Sequence, residues 1–249
     1  MVKVHEDETE GFSLLPSFFN CDNLIWDRLH PKIVIWSGGA DSTCLMAELA
    51  ILCKKHDLPL YTISADINWL HRGKVDAEKK ARKRILGLLR KRGYDIRDNM
   101  VTTDVSADYE EDYNPRHPQQ FLWEMIALQL APANADVFFG FIKEDEVWRK
   151  SEIRTYILNA FNTWHGLNIK FYDPYEYVSK TAIYERLKEL GLFKYVWTCE
   201  LPENGKPCGN CIPCTHRRAA LFELAFHGKK WAEKLLEKEN NISFTRGAK

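Results

Sequence analysis

The chain has 249 residues, which suits one large domain or one domain with a small appendage, and its apolar fraction of 45% is ample for a buried core. Lys plus Arg and Asp plus Glu stand at 35 each, so no net field draws the chain to nucleic acid or to an anionic membrane. Apolar runs are short and broken by charge, which excludes a transmembrane helix, and the acidic start MVKVHEDETEG has no apolar signal-peptide core, so a cytoplasmic location is expected.

Residues 1–30 read as an N-terminal extension. Phe12, Leu14, Leu15, Phe18 and Phe19 argue against disorder and for a strand or turn at a sheet edge, with Cys21 a lone buried thiol. The main domain is expected over residues 31–190. It opens on a β-branched strand, Ile33-Val-Ile-Trp36, turns through Ser37-Gly-Gly-Ala-Asp-Ser42 and enters a helix from Thr43 to Lys55. A strand, a glycine turn and a helix start aim backbone N–H groups and a positive helix end at one point, which suits a phosphate. Gly38 and Gly39 let the chain turn and an anion approach, while Ser37 and Ser42 add hydroxyl donors. Asp41 repels a phosphate unless a cation stands between them, so the set predicts a nucleotide polyphosphate such as ATP with Mg²⁺. No Gly-Lys-Ser/Thr follows, which excludes the Walker P-loop.

Leu60 to Asp66 predicts a second buried strand, with Asp66 at the C-terminal end, where open α/β sheets bind ligands. Ile67-Asn-Trp-Leu-His71 leads into a charged helix, Lys74 to Arg92, whose lysines and arginines, Arg82 among them, read as a solvated face. Met100 to Val105 is the third strand. Two prolines then hold Arg116 and His117 on a rigid turn, Tyr113 to Pro118, ahead of a helix from about Gln119 to Leu130. Ala135 to Gly140 is the fourth strand, ending at Gly140, where a backbone can approach a ligand. A helix from Glu144 to Trp164 and a short strand, Lys170 to Pro174, follow. Ser179 caps a further helix that opens on Lys180-Thr-Ala-Ile183. A lysine there opposes the helix dipole, so Lys180 is either a tolerated surface residue or a cation needed for phosphate. The alternation of strand and helix predicts a doubly wound, mostly parallel α/β sheet.

Residues 191–249 read as a small helical, zinc-binding C-terminal region. Cys199, Cys208, Cys211 and Cys214 have the spacing C-x8-C-x2-C-x2-C, and Gly205, Pro207, Gly209 and Pro213 supply turns that let them converge. Four thiolates close a tetrahedral Zn²⁺ shell, structural rather than hydrolytic, with an iron–sulfur cluster as the competing metal.

The stretch Ser37–Ser42 resembles the SGGxDS signature of the PP-loop ATP pyrophosphatases, which split ATP to AMP and pyrophosphate while adenylating a substrate. Together with the late cysteine set it resembles QueC, the 7-cyano-7-deazaguanine synthase family (also called ExsB-like), over residues 32–225. Asp66 and His71 match the ends of that family's D-Y-G-Q-R-H segment, and Pro115-Arg116 match part of its P-x-R-N turn. Lys180-Thr-Ala-Ile183 looks like its K-x-E-I helix start, Thr198-Cys199 like the tail of T-W-S-C, and Arg217 follows the last cysteine by three residues. The family's Y-P-D-C-R segment is replaced here by Glu146-Val-Trp-Arg-Lys150.

The resemblance implies an adenine nucleotide alpha hydrolase-like fold and an AMP-forming ligase. Ser37, Gly38, Gly39, Ser42 and Gly140 are expected to hold the nucleotide, with Asp41, Asp66, Arg116 and Lys180 as catalytic or charge-neutralising residues. Its substrate would be 7-carboxy-7-deazaguanine, activated by ATP and attacked by ammonia to give the amide and then the nitrile. Trp69 or Trp148 would stack on the purine-like ring or belong to the core. Three other readings stand beside it. One is an enzyme of an antiviral system that transfers the activated carboxylate to an amine on a protein or nucleic acid. Another is a tRNA-thiolating PP-loop enzyme, disfavoured because Cys21, Cys44 and Cys53 form no obvious persulfide pair. The last is an inactive nucleotide-binding module. The expected assembly is a homodimer without membrane contact.

Overall fold

The structure is a computed structural model, and it describes residues 24–67, 72–103 and 119–240. Five strands, β1 (Lys32–Ile35), β2 (Leu60–Ile67), β3 (Ile96–Thr103), β4 (Asp136–Phe138) and β5 (Lys170–Tyr172), form one sheet in the order β3-β2-β1-β4-β5. Every pairing is parallel, as the alternation of elements predicts. All four β1 residues are buried, the mark of a central strand covered on both faces. Successive side chains point to opposite faces. Val34 and Trp36 therefore enter one core while Ile33 and Ile35 enter the other.

The first core packs α1 (Ala40–Lys55), α2 (Arg72–Lys91), α5 (Lys180–Glu189), α6 (Ile212–Phe226) and α7 (Lys230–Asn240), through residues such as Leu49, Ile85, Leu187, Leu221 and Leu236. The second packs α3 (Gln119–Leu130) and α4 (Ser151–His165), through Trp123, Ala127 and Leu158. At the N-terminal end of the sheet a buried ion pair, Lys32 Nζ to Asp136 at 2.9 Å, ties β1 to β4. Strand order reverses at β1, with β2 and β3 on one side and β4 and β5 on the other. In such sheets the chain parts at the C-terminal ends of the central strands, here β1 and β4, and leaves a crevice.

Several expected boundaries move by one or two residues, and three differences are larger. The first helix begins at Ala40 rather than Thr43, because the Gly39 carbonyl already accepts the Thr43 N–H at 3.2 Å. The third strand begins at Ile96 rather than Met100; the earlier residues pair with Leu60 to Ile63 of β2. The helix expected from Glu144 is split into a 3-10 turn, Glu146–Lys150, and α4. Asp145 accepts the Ile142 N–H at 2.8 Å and Trp148 Nε1 donates to the Ile142 carbonyl at 2.6 Å, which closes that turn. Among the described residues no helix is long and apolar enough to cross a membrane.

Candidate active site

Ser37 leaves β1 at the crevice and the chain turns at Gly38, whose φ is 92°. A Cβ at Gly38 would stand 2.9 Å from Arg82 Cγ and 3.1 Å from the Glu78 carbonyl, so both conformation and space require glycine. The loop is tied to itself. Ser37 Oγ accepts the Gly39 N–H at 3.1 Å and lies 3.1 Å from Ser42 Oγ, which accepts the Ser37 N–H at 3.3 Å. The start of α1 leaves backbone N–H groups that the helix itself does not satisfy. Gly140 lies against this helix start: a Cβ there would stand 2.8 Å from the Ser42 nitrogen. Its missing side chain thus serves the close approach of the strand end to α1, and it lines the crevice from that position.

Lys180, the first residue of α5, reaches across to Asp41 in the first turn of α1, Nζ to Oδ2 2.5 Å. Ser179 is the cap, its Oγ accepting the Ala182 N–H, and the Lys180 N–H donates to Glu144. Burial opposes charge on Lys180, but Asp41, Tyr184 and Asp145 around it outweigh that and hold its pKa above the ordinary lysine value. Burial also raises Asp145 to about 6, with the Ile142 N–H pulling it down, Asp41 pushing it up and Lys180 lowering it. The second carboxylate oxygen of Asp41, Oδ1, is buried and makes no hydrogen bond. That anionic atom fits a cation such as Mg²⁺ brought by a nucleotide.

Asp66 ends up beneath the loop, not at its rim. It is buried and accepts from Arg82 at 2.5 Å and Lys79 at 2.9 Å, while Arg82 Nη1 donates to the Ser37 carbonyl at 2.9 Å. Arg82 is 2% exposed, which corrects its reading as part of a solvated face. Arg116, His71 and Trp69 lie outside the described residues. Trp148 packs against the second core with its Nε1 already bonded. Arg217 makes a two-pronged ion pair with Glu239.

Above the loop opens a cavity of about 630 Å³. Its walls include the Ser37–Ser42 loop without Gly38, which is buried beneath, together with Gly140, Lys180 and the segment Trp197 to Glu200 without Cys199. They also include three residues that the sequence did not single out: Lys74 and Glu78 on α2, and Glu200. Lys74 is 3% exposed, hydrogen-bonds Glu200 and lies 3.9 Å from Glu78. Burial raises Glu78 to about 7; Lys74 and Arg82 pull it down, and Glu200 and Asp66 push it up. A signal for these residues exists. Lys74, Glu78 and Arg82 are spaced four apart and run into Ile85, Leu86 and Leu89, so charged positions continue a buried stripe.

The four cysteines converge as their spacing predicts, their sulfurs all within 4.8 Å of one another. Asn204 and Gly205 turn the intervening hairpin with φ of 50° and 73°. Cys211 caps α6 and Cys214 sits in its first turn. The centre is joined to the loop by Trp197, whose N–H donates to the Gly38 carbonyl at 3.1 Å and whose Nε1 donates to the Cys199 carbonyl at 2.8 Å.

The parallel sheet with a Ser-Gly-Gly loop at its switch point agrees with the PP-loop resemblance of Ser37–Ser42. The family model described as "Queuosine biosynthesis protein QueC" matches residues 101–225, half of the chain, and the chain belongs to that family. It is an ATP-using enzyme of the adenylating kind. No curated protein matches it. Among solved structures it is similar to the U34-tRNA thiolase NcsA from Methanococcus maripaludis with its [4Fe-4S] cluster, at 14% identity and a TM-score of 0.44, covering 87% of this chain and 77% of that one. It is also similar to NMN synthetase from Francisella tularensis, at 13% identity and a TM-score of 0.41, covering 88% and 90%.

Proposed function

We propose that the protein adenylates the carboxylate of 7-carboxy-7-deazaguanine with ATP and lets ammonia displace AMP, giving the amide and, after a second activation, 7-cyano-7-deazaguanine. One observation carries this reading: the Ser37–Ser42 loop, the Asp41–Lys180 pair and Gly140 face a single cavity of about 630 Å³ at the sheet's switch point. Ser37, Gly38, Gly39 and Ser42 hold the phosphates with backbone N–H and hydroxyl groups. A carboxylate oxygen attacks the α-phosphorus and pyrophosphate leaves. Lys180 neutralises the charge that shifts to the leaving group, and Arg116 is its proposed companion. This chemistry is positioning and charge neutralisation, which a preformed loop provides. Mg²⁺ bound by the nucleotide and Asp41 would offset the phosphate charge. Asp66 works through Arg82, which fixes the Ser37 carbonyl and hence the turn.

The cysteine set is assigned to Zn²⁺. Cys199 Sγ stands 3.6 Å from Cys208 Sγ and 4.0 Å from Cys211 Sγ. Thiolates about 2.3 Å from one tetrahedral ion are about 3.8 Å apart, so one ion fits the spacing. Such a site is closed and structural, and it secures the wall that carries Trp197 and Glu200.

Mass spectrometry after incubation with ATP, Mg²⁺, ammonium and 7-carboxy-7-deazaguanine tests the proposal. AMP together with the nitrile is expected. AMP and adenylate without amide or nitrile would replace ammonia by an amine on a macromolecule, and absence of AMP would refute adenylation of this acid.

A further inference from the structure

Two groups of charged residues line the cavity, Asp41, Glu144, Asp145 and Lys180 in one and Lys74, Glu78 and Glu200 in the other. Of its described carboxylates, Asp41 is locked to Lys180, Glu144 accepts the Lys180 N–H, and Asp145 accepts the Ile142 N–H beside them. That leaves Glu78 and Glu200. They face the cavity from α2 and from the segment after Trp197, with the Lys74 ammonium held against both. Two carboxylates around one ammonium make a cluster that attracts a further cation and repels a carboxylate.

We infer that the Glu78 side of this triad is the subsite for the amine nucleophile, taking it up as an ammonium ion or primary alkylammonium and removing its proton. The inference rests on the adenylation proposed above. An amine attacks an acyl carbon only once it has lost a proton, so the step needs a base beside the adenylate. Glu78 takes that proton, the nitrogen lone pair forms the C–N bond, and the acyl C–O bond breaks with its electron pair leaving on AMP. The nitrogen then releases a second proton to water, so acyl-adenylate and ammonium become amide, AMP and two protons. Lys74, Glu200, Arg82 and Asp66 are the charged groups around Glu78, and with burial they leave it at about 7, where a base works best at neutral pH. Lys74 fixes the carboxylates in place and Glu200 adds negative charge.

Glu78→Gln keeps the shape and removes the base. With 7-carboxy-7-deazaguanine as the acid, two rates are compared: ATP–pyrophosphate exchange, which reports adenylation, and ammonium-dependent amide formation. The amine step is expected to fall about a hundredfold relative to exchange, as loss of a general base does. Below the pKa of ammonium the residual rate should climb about tenfold per pH unit, because free ammonia becomes the reactant. A cooperative thermal melt no more than a few degrees below that of wild type shows that the variant is folded. Equal losses in both rates, or an amine step that matches wild type at every pH, would overturn the subsite while leaving adenylation standing. Absence of exchange in the wild type would overturn both.

Discussion

At the scale of single residues, the Asp41–Lys180 pair joins the first turns of two helices that are far apart in sequence. Lys180→Met removes the cation that faces the cavity and leaves Asp41, a quarter exposed, without its ion-pair partner. Pyrophosphate release with the acid substrate should fall by about 10²- to 10³-fold, the loss found when a charge-stabilising donor is removed. A rate within threefold of wild type would remove Lys180 from the phosphate site. Glu78 gives a second test, through stability. Its pKa rises from 4.5 in the open chain to about 7 in the fold, so between these values the folded protein holds a proton that the unfolded chain has lost. Stability from this group is therefore complete below about pH 4.5 and is lost as pH rises toward 7. Denaturant titrations of wild type and Glu78→Gln at about pH 5 and about pH 8 should diverge by about 2 to 3 kcal/mol, wild type losing more. A difference that does not change with pH would contradict the burial argument.

At the scale of elements, α2 is where sequence and structure part. Its charge density reads as solvent-facing, yet Arg82 is buried and joins Asp66 at the end of β2 to the turn at Ser37. Arg82→Met should cost about 3–5 kcal/mol, the penalty for leaving one partner of a buried ion pair alone, and denaturation would measure it. A cost under about 1 kcal/mol would return Arg82 to the surface. The elements with a local signature were legible. The glycine loop follows a β-branched strand, Ser179 caps its helix, and the cysteine spacing forces convergence. Other features depend on contacts distant in sequence. Whether Gly140 serves a ligand or the approach of α1 is decided by Ser42, and the role of Asp66 is decided by a helix one turn of the fold away. Lys74 and Glu200 are 126 positions apart, and no local pattern pairs them.

At the scale of the whole molecule, the cysteine centre and the Ser-Gly-Gly loop form one mechanical unit. Trp197 hydrogen-bonds both Gly38 and Cys199, and α6 brings its core residues to the face that also receives α1 and α5. If the centre holds the zinc proposed for it, stripping that ion with a chelator should lower Tm and also weaken ATP binding about tenfold, equivalent to 1.4 kcal/mol, although none of the described cysteines lines the cavity. Calorimetric ATP titration before and after chelation checks this; unchanged affinity with lowered Tm would separate the two sites. The proposed reaction turns on attack by a carboxylate oxygen at the α-phosphorus of ATP. The direct measurement starts from 7-carboxy-7-deazaguanine carrying ¹⁸O in its carboxylate and follows the label by mass spectrometry. AMP carrying one labelled oxygen is the predicted result. Unlabelled AMP, or ADP in its place, would contradict the account.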